Sequence, residues 1–376
     1  MHIPFVDLQA QYKSNKAEIN SAINNVIKNT EFILGKEVEE FEKNFSQFLG
    51  VKNCVTLASG TDALIIGMRS LSLPPGSEIL IPSNTFIATA LAASFNGHKP
   101  VFVDADPNDH GINLSDLAKK INSRTRAIVV VHLYGQSDKI GEIDEVIKKS
   151  GRTIYLIEDA CQAHGAEYKG KKVGTFGIFS TFSFYPSKNL GAYGDGGAIC
   201  TNNDKLANKL KLLRQYGQRK KYYHDVLGVN SRLDTIQAAV LNVKLPYLEK
   251  WNKKRQEIAS LYTELIKRSI PQIKTPHIFT ERKSIFHLYL IRTKKRNRLQ
   301  KYLKNDGVTT LIHYPIPLHL QKAYKFLKYK RGDLPVSEKL AQEILSLPIY
   351  PELKENQIHY VVNLLKRFYE RSNPNN

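Results

Sequence analysis

The chain has 376 residues, a formal net charge of +20, 42% hydrophobic and 24% charged residues. That length supports a large core with a smaller second domain, and the composition excludes a disordered, fibrous or repetitive protein. No eighteen apolar residues run together, and the start, MHIPFVDLQAQYKS, has no basic segment followed by an apolar core, so a cytoplasmic protein with no membrane partner is expected.

The positive charge is dispersed over Lys205 to Lys221, Lys250 to Arg255 and Lys294 to Arg298, without a nucleic-acid module, so no nucleic-acid partner is expected. It suits attraction of a polyanionic small molecule such as a nucleotide diphosphate. Cys54, Cys161 and Cys200 lie in or beside apolar runs with no CxxC or Cys/His cluster, and read as buried thiols, with neither a disulfide nor a metal site. Disorder is expected only in the tail RSNPNN.

In chain order, residues 1–30 predict an extended arm and then a helix, with Ile19, Ala22, Ile23, Val26 and Ile27 at helical spacing. Glu37 to Leu49 predicts a second amphipathic helix, closed by Gly50. From Asn53, strand patterns alternate with helix patterns: CVTLAS, EILIPS, PVFVDAD, AIVVVHLYG and TIYLIEDA each precede a helical or loop segment. This alternation predicts an α/β fold on a mainly parallel sheet, whose ligands gather at the carboxyl ends of the strands.

The polar residues worth naming sit at those ends. In ASGTDAL, Gly60 allows close backbone approach and a helix begins, so Gly60 and Thr61 form a candidate anion site, while Thr61 and Asp62 are candidate caps. A plain helix cap is an equally good reading of these residues alone. In SNTFIAT, Phe86 stands where a flat ring could stack on a cofactor, although packing in the core is the commoner fate. Asp159 ends the apolar run TIYLI, and a carboxylate buried there needs a cationic partner, for which a protonated pyridine nitrogen would serve. Gln162 is placed to reach the same ligand, whereas His164 reads as a satisfied core histidine in preference to a substrate neighbour.

Phe176 to Cys200, FGIFSTFSFYPSKNLGAYGDGGAIC, carries a buried strand, Pro186 and a glycine-rich return, with Lys188 between them at the strand end. A desolvated lysine is a nucleophilic amine suited to carbonyls. Lys188, Asp159, Gly60, Thr61, Ser183 and Phe86 together are what pyridoxal 5'-phosphate requires: an amine to hold the carbonyl, a carboxylate for the ring nitrogen, an anion site, a hydroxyl and a covering ring.

The motifs SGTDAL, EDACQAHGA, SFYPSKNLGAYGDGG and GVNSRLDTIQAA resemble the DegT/DnrJ/EryC1/StrS family of nucleotide-sugar aminotransferases, from Pro4 to Pro351. The resemblance implies a fold-type I aspartate aminotransferase architecture, L-glutamate as amino donor, a nucleotide-diphosphate keto sugar as acceptor and a homodimer with shared active sites. It implies that Lys188 is the Schiff-base lysine and freed-proton shuttle, Asp159 the pyridinium partner and Gln162 the neighbour of the phenolic oxygen. Ser183, Gly60 and Thr61 match phosphate positions, Phe86 the covering residue, and Asn230 an asparagine reaching the neighbouring subunit's phosphate; from the bare sequence Asn230 is a turn residue. Members with histidine in place of Lys188 dehydrate, so amino transfer is expected. Tyr185 stands where members acting at sugar C4 commonly carry histidine, and it and IHYPIPLHLQ resemble the group acting at C3 of dTDP-linked 3-keto-6-deoxyhexoses; C4 transfer to a UDP- or dTDP-linked 4-keto sugar is the alternative, and a non-catalytic regulator that binds a nucleotide sugar on the same fold is the remoter one.

In that proline-bracketed run, His313, Tyr314 and His319 are candidate substrate contacts, with a packed structural turn as the plainer reading. Arg219 and Tyr222 in YGQRKKYYH are candidates to pair with a diphosphate and stack on a base, or belong to a solvated loop. Residues 1–245 are expected to form the N-terminal arm and cofactor domain, and 246–376 a smaller α+β domain opened by a long helix over Tyr247 to Lys267.

Overall fold

The computed structural model describes residues 1–371, so the expectation of disorder in the tail falls, beyond Arg371, outside the described residues. Helix α1 (Leu8–Asn29) begins where Asp7 accepts the Ala10 N–H, and α2 (Lys36–Leu49) ends on Gly50 at φ 80°, whose N–H caps the carbonyls of Ser46 and Gln47. The stripe expected on α1 is narrower in the structure. Ile19 and Val26 are buried, but Ile27 faces outward, because within one chain α1 rests mainly against a single later helix, Thr235–Lys244.

The alternating segment folds as β1 (Asn53–Leu57), α3 (Gly60–Ser70), β2 (Glu78–Pro82), α4 (Ile87–Phe95), β3 (Lys99–Val103), α5 (Leu114–Lys120), β4 (Thr125–Val131), α6 (Ile140–Lys149), β5 (Tyr155–Asp159), β6 (Phe179–Ser183) and β7 (Gly197–Thr201). These strands make one seven-stranded sheet in the order β1-β7-β6-β5-β4-β2-β3. β7 runs antiparallel to both neighbours and the remaining pairings are parallel, which gives the α/β architecture its mostly parallel sheet. A parallel sheet is buried on both faces, and two apolar cores flank it: Phe41, Phe45, Val130 and Phe182 on one side, Ile79, Phe102, Val129 and Phe179 on the other.

Glu158 fixes the entry to β6. This fully buried carboxylate accepts the backbone N–H groups of Gly174 (2.6 Å), Phe176 (2.7 Å) and Gly177 (2.7 Å), and lies 3.1 Å from His132 Nε2. Hydrogen bonds to an ionised acceptor are the stronger kind, so the turn before β6 is held rigidly.

After α7 (Asp204–Leu213), a hairpin of β8 (Gln218–Lys220) and β9 (Tyr223–His224) projects into solvent, with Leu227 91% exposed. Then α8 (Thr235–Lys244) leads to α9 (Leu248–Ser269), the long helix expected from the sequence. The main elements that follow are β10 (Tyr289–Arg292), α10 (Arg296–Asn305), α11 (Pro335–Glu343), β11 (Ile344–Leu347) and α12 (Glu355–Glu370), with β10 and β11 paired antiparallel. Tyr262, Tyr289, Leu345, Leu365 and Phe368 form a third core here, joined by Ile3 from the N-terminal arm. By contrast Leu318, Tyr324 and Leu340 pack into the core of the large sheet. The chain crosses between the two regions more than once. No helix among the described residues is long and apolar enough to cross a membrane.

Candidate active site

The carboxyl ends of β1, β5 and β6, the start of α3 and the segment 313–314 surround a cleft of about 350 Å³. It is lined by Gly60, Thr61, Phe86, Asp159, Gln162, Ser183, Tyr185, Lys188, His313 and Tyr314, together with Ser59, Cys161, Asp195 and His287.

The anion site begins at α3. Its cap is Ser59, whose side chain accepts the Asp62 N–H at 3.1 Å; neither Thr61 nor Asp62 serves, because only Ser59 has the extended backbone of a cap residue. Asp62 instead accepts a hydrogen bond from Ser231 Oγ at 2.6 Å. The leading N–H groups of Gly60 and Thr61 therefore open on the cleft at the positive end of the helix. Gly60 is required there, since a Cβ would lie 2.6 Å from Ser183 Cβ and 3.1 Å from Cys161 Sγ. Gly197 acts similarly, because a Cβ would lie 2.6 Å from the Gly60 nitrogen.

Asp159 is buried at the end of β5. Its Oδ2 accepts from Thr89 Oγ1 at 2.8 Å and its Oδ1 from the Cys161 N–H at 3.2 Å, and no ion pair among the described residues includes it. Lys188 lies across the cleft after the β6 turn, where Gly191 lets the return strand pass; a Cβ there would sit 2.3 Å from the Pro186 carbonyl oxygen. Burial pushes the Lys188 ammonium below the ordinary lysine range, with Cys161 and Asp159 acting in the opposite direction. The amine is thereby biased towards its neutral form.

Gln162 is engaged at both ends: Oε1 accepts the Tyr134 N–H at 2.8 Å and Nε2 donates to Tyr314 Oη at 3.1 Å, leaving one N–H of the amide. The Tyr314 ring lies 5.6 Å from that of Phe86, which is half exposed and faces the cleft instead of the core. Tyr134 Oη donates to the His313 carbonyl at 2.8 Å, His313 Nδ1 lies 2.9 Å from Ser346 Oγ, and burial lowers the His313 imidazole to about 4.

Four expected site residues lie elsewhere. His319 is a correction: it is buried, with Nδ1 2.8 Å from Ser83 Oγ and Nε2 3.1 Å from Glu338 Oε1, so it holds the turn and does not reach the cleft. Arg219 and Tyr222 are on the exposed hairpin, Arg219 paired with Asp225 at 2.8 Å, and Asn230 is exposed beside Gln215; none of the three lines this cleft. His164 is buried against the rings of Phe182 and Phe184, as a core residue. Cys54 and Cys200 are buried free thiols, but Cys161 is only partly buried and lines the cleft, which the sequence reading did not anticipate.

Thr89 and His287 were also missed. Thr89 sits one helical turn after Phe86 and has no signature beyond its helix register; His287 is a lone polar residue in the apolar run FHLYLIR, a signal that was available. No group of three or more potential metal-ligating side chains occurs among the described residues.

The site's chemistry agrees with comparison to known proteins. A transaminase of Aneurinibacillus thermoaerophilus, dTDP-3-amino-3,6-dideoxy-alpha-D-galactopyranose transaminase, is 45% identical over 97% of this chain and 99% of its own. A "pleiotropic regulatory protein" of Geobacillus stearothermophilus is 44% identical over 98% and 99%. The crystal structure of S. venezuelae DesV in complex with a ketimine intermediate matches with a TM-score of 0.95 at 40% identity, covering 98% of this chain and 99% of that one. Residues 13–366 match the family directly, and the chain belongs to the DegT/DnrJ/EryC1/StrS aminotransferase family.

Proposed function

We propose that the protein uses pyridoxal 5'-phosphate to move an amino group from L-glutamate to C3 of a dTDP-linked 3-keto-6-deoxyhexose. The observation that carries this reading is the convergence of the Lys188 amine, the Asp159 carboxylate and the open N-terminus of α3 on one cleft. The residues fit the cofactor: the Gly60 and Thr61 N–H groups and the Ser183 hydroxyl would take its phosphate, Asp159 its ring nitrogen, Lys188 its carbonyl carbon and Phe86 one ring face. When bound, the cofactor supplies a carbonyl that accepts and releases an amino group and a ring that draws electrons from the neighbouring carbon.

The chain's own groups do the rest. Thr89 and the Cys161 N–H orient the Asp159 carboxylate, so its charge is aimed before any ligand arrives. The Lys188 amine, when not holding the cofactor, would move a proton as general base and then general acid, a task that its lowered affinity for protons favours. Tyr185, His313 and Tyr314, which line the cleft, are assigned to the sugar. The names of the Aneurinibacillus relative and the match to DesV support a C3 amino-sugar substrate.

Arg219, Tyr222 and Asn230 are assigned to the cleft of a second copy in a homodimer, since they are exposed in one chain along with Tyr216 and Leu227. Mixing Lys188→Ala with Asn230→Ala subunits then restores activity in half of the sites of the hybrid dimers; no restoration overturns the shared-site assignment.

The test of function is to incubate the protein with L-glutamate and a dTDP-3-keto-6-deoxyhexose and locate the new C–N bond by NMR. An amine at C3 is expected. Amination only of 4-keto sugars moves the assignment to C4. Absence of any amino transfer overturns the catalytic reading in favour of a non-catalytic regulator built on the same fold, the reading to which the name of the Geobacillus relative, a pleiotropic regulatory protein, points.

A further inference from the structure

His287 stands at the inner wall of the cleft with Lys188 and is 9% exposed. The segment carrying it is held with unusual investment. Ile285 N–H donates to the Gly135 carbonyl at 2.8 Å and Leu288 N–H to the Tyr134 carbonyl at 3.2 Å, so the strap is clamped to the loop after β4 on both sides of His287. The buried Arg255 guanidinium donates to the carbonyls of Phe286 (3.2 Å), His287 (3.3 Å) and Ile349 (2.9 Å). Phe286 itself adopts φ 45°, a left-handed conformation that is strained for an aromatic residue and persists only where its surroundings enforce it. Gly135 permits the approach, since a Cβ there would lie 2.6 Å from the His287 nitrogen.

The hydrogen bonds behind the ring fix its tautomer. Asn252 Nδ2 donates to the His164 carbonyl at 2.8 Å, so Asn252 Oδ1 is an acceptor. Asn189 Nδ2 donates to that oxygen at 2.8 Å and to the Ile285 carbonyl at 3.3 Å, so Asn189 must present Oδ1 to His287 Nδ1, 3.1 Å away. An oxygen that only accepts requires Nδ1 to carry the hydrogen. Nε2 is then a bare lone pair, and it has no partner among the described residues. Burial keeps the ring from gaining a second proton, and the charges of Lys188 and Arg255 and the neighbouring His313 and His164 act in the same sense.

We propose that His287 is a hydrogen-bond acceptor for the amine of Lys188, with Asn189, Asn252 and the His164 carbonyl acting through it as positioning groups. The residue next to Lys188 in sequence thus sets the tautomer of a ring that lines the same cleft as the lysine. A neutral acceptor can orient the Lys188 N–H groups in either protonation state without repelling the ammonium, which a protonated histidine could not do. The role rests on the aminotransferase reading above.

The test uses two substitutions of opposite geometry in the holoenzyme. His287→Asn keeps a donor for Asn189 at the Nδ1 position and removes the acceptor at Nε2; His287→Gln restores an acceptor oxygen at the Nε2 position and drops the Asn189 contact. The half-reaction with L-glutamate, followed by rapid mixing, is expected to slow about tenfold or more in His287→Asn, the loss of one such bond, and to recover towards wild type in His287→Gln. The reverse order, with Asn harmless and Gln damaging, shows a buttress for Asn189 and overturns the proposal. Slowing confined to the keto-sugar half-reaction also overturns it, since the Lys188 amine serves both. Independently of activity or of variant folding, ring ¹⁵N NMR of the wild type is expected to show His287 as the neutral Nδ1–H tautomer; an Nε2–H or doubly protonated ring at neutral pH refutes it. A wild type inert to glutamate but with the expected tautomer indicts the aminotransferase reading, not the geometry of His287.

Discussion

Gly60→Ala is the sharpest probe of the proposed phosphate site. The added Cβ would start 2.6 Å from Ser183 Cβ and 3.1 Å from both Ser183 Cα and Cys161 Sγ. Non-bonded carbons settle about 3.5–4.0 Å apart, so α3 and the end of β6 must separate by about 1 Å where the Gly60 N–H, Thr61 N–H and Ser183 hydroxyl are meant to converge. Of the neighbours at 3.1 Å, Ser183 Cα is backbone and cannot swing away, while Cys161 Sγ can turn towards the cleft without relieving the approach to Ser183. Overpacking of this kind costs about 1–3 kcal/mol. Hydrogen bonds to a charged group are worth about 1.5–3 kcal/mol each, so spoiling the equivalent of one weakens cofactor binding by about 10–150-fold. The assay is fluorescence titration of cofactor-free protein with pyridoxal 5'-phosphate and, separately, with pyridoxal, which has no phosphate. The loss is expected for the phosphorylated ligand and to be small for pyridoxal. Equal losses would mean that the substitution damages the ring site, and no loss would mean that the phosphate does not rest on α3; either result refutes the assignment.

Three further outcomes follow from the same geometry. Lys188→Ala should abolish the mass increment left by borohydride reduction of the loaded protein and lower turnover by about 10³-fold or more, since it removes both the covalent tether and the proton carrier; a retained increment would place the linkage at another lysine. Thr89→Val keeps shape but deprives the buried Asp159 Oδ2 of its 2.8 Å donor, and should lower the stability of the cofactor-free protein by about 1.5–3 kcal/mol, read from the urea midpoint. A change under about 0.5 kcal/mol would show that the bond carries little. His164 gives the pH dependence: burial lowers its imidazole to about 3, so the unfolded chain gains a proton near 6.5 that the folded chain refuses until about 3. Folding stability therefore falls as pH drops through that window, and His164→Phe should recover about 3 kcal/mol at pH 4 while changing little at pH 7.5. Equal effects at both pH values would assign the change to packing.

Among the elements, α2 and its Gly50 cap, the four βα repeats with β5 after them, and α9 were legible because each rests on local causes: helical spacing, a left-handed glycine, or a β-branched run between turns. The α1 stripe was overread, since Ile27 has the right spacing but no neighbour in the same chain to cover it. His319 fared likewise. A histidine in a proline-bracketed turn looks the same in sequence whether it faces a ligand or, as here, Ser83 and Glu338.

The sequence by itself determined the chemistry of the cleft. Lys188 after a buried strand, Asp159 at a strand mouth and Gly60 at a helix start are local features, and a parallel sheet brings such strand ends to one edge whatever the details. Only the tertiary structure decided which residues support them. Thr89 behind Asp159, Cys161 beside Gly60, and His287 brought against Asn189 by a strap from the far end of the chain are contacts across 70, 101 and 98 positions. Hydrophobic periodicity encodes which face of an element is buried, but it carries no information about which distant polar atom will complete a hydrogen bond there, because that depends on how the packed elements are placed to within a fraction of an ångström.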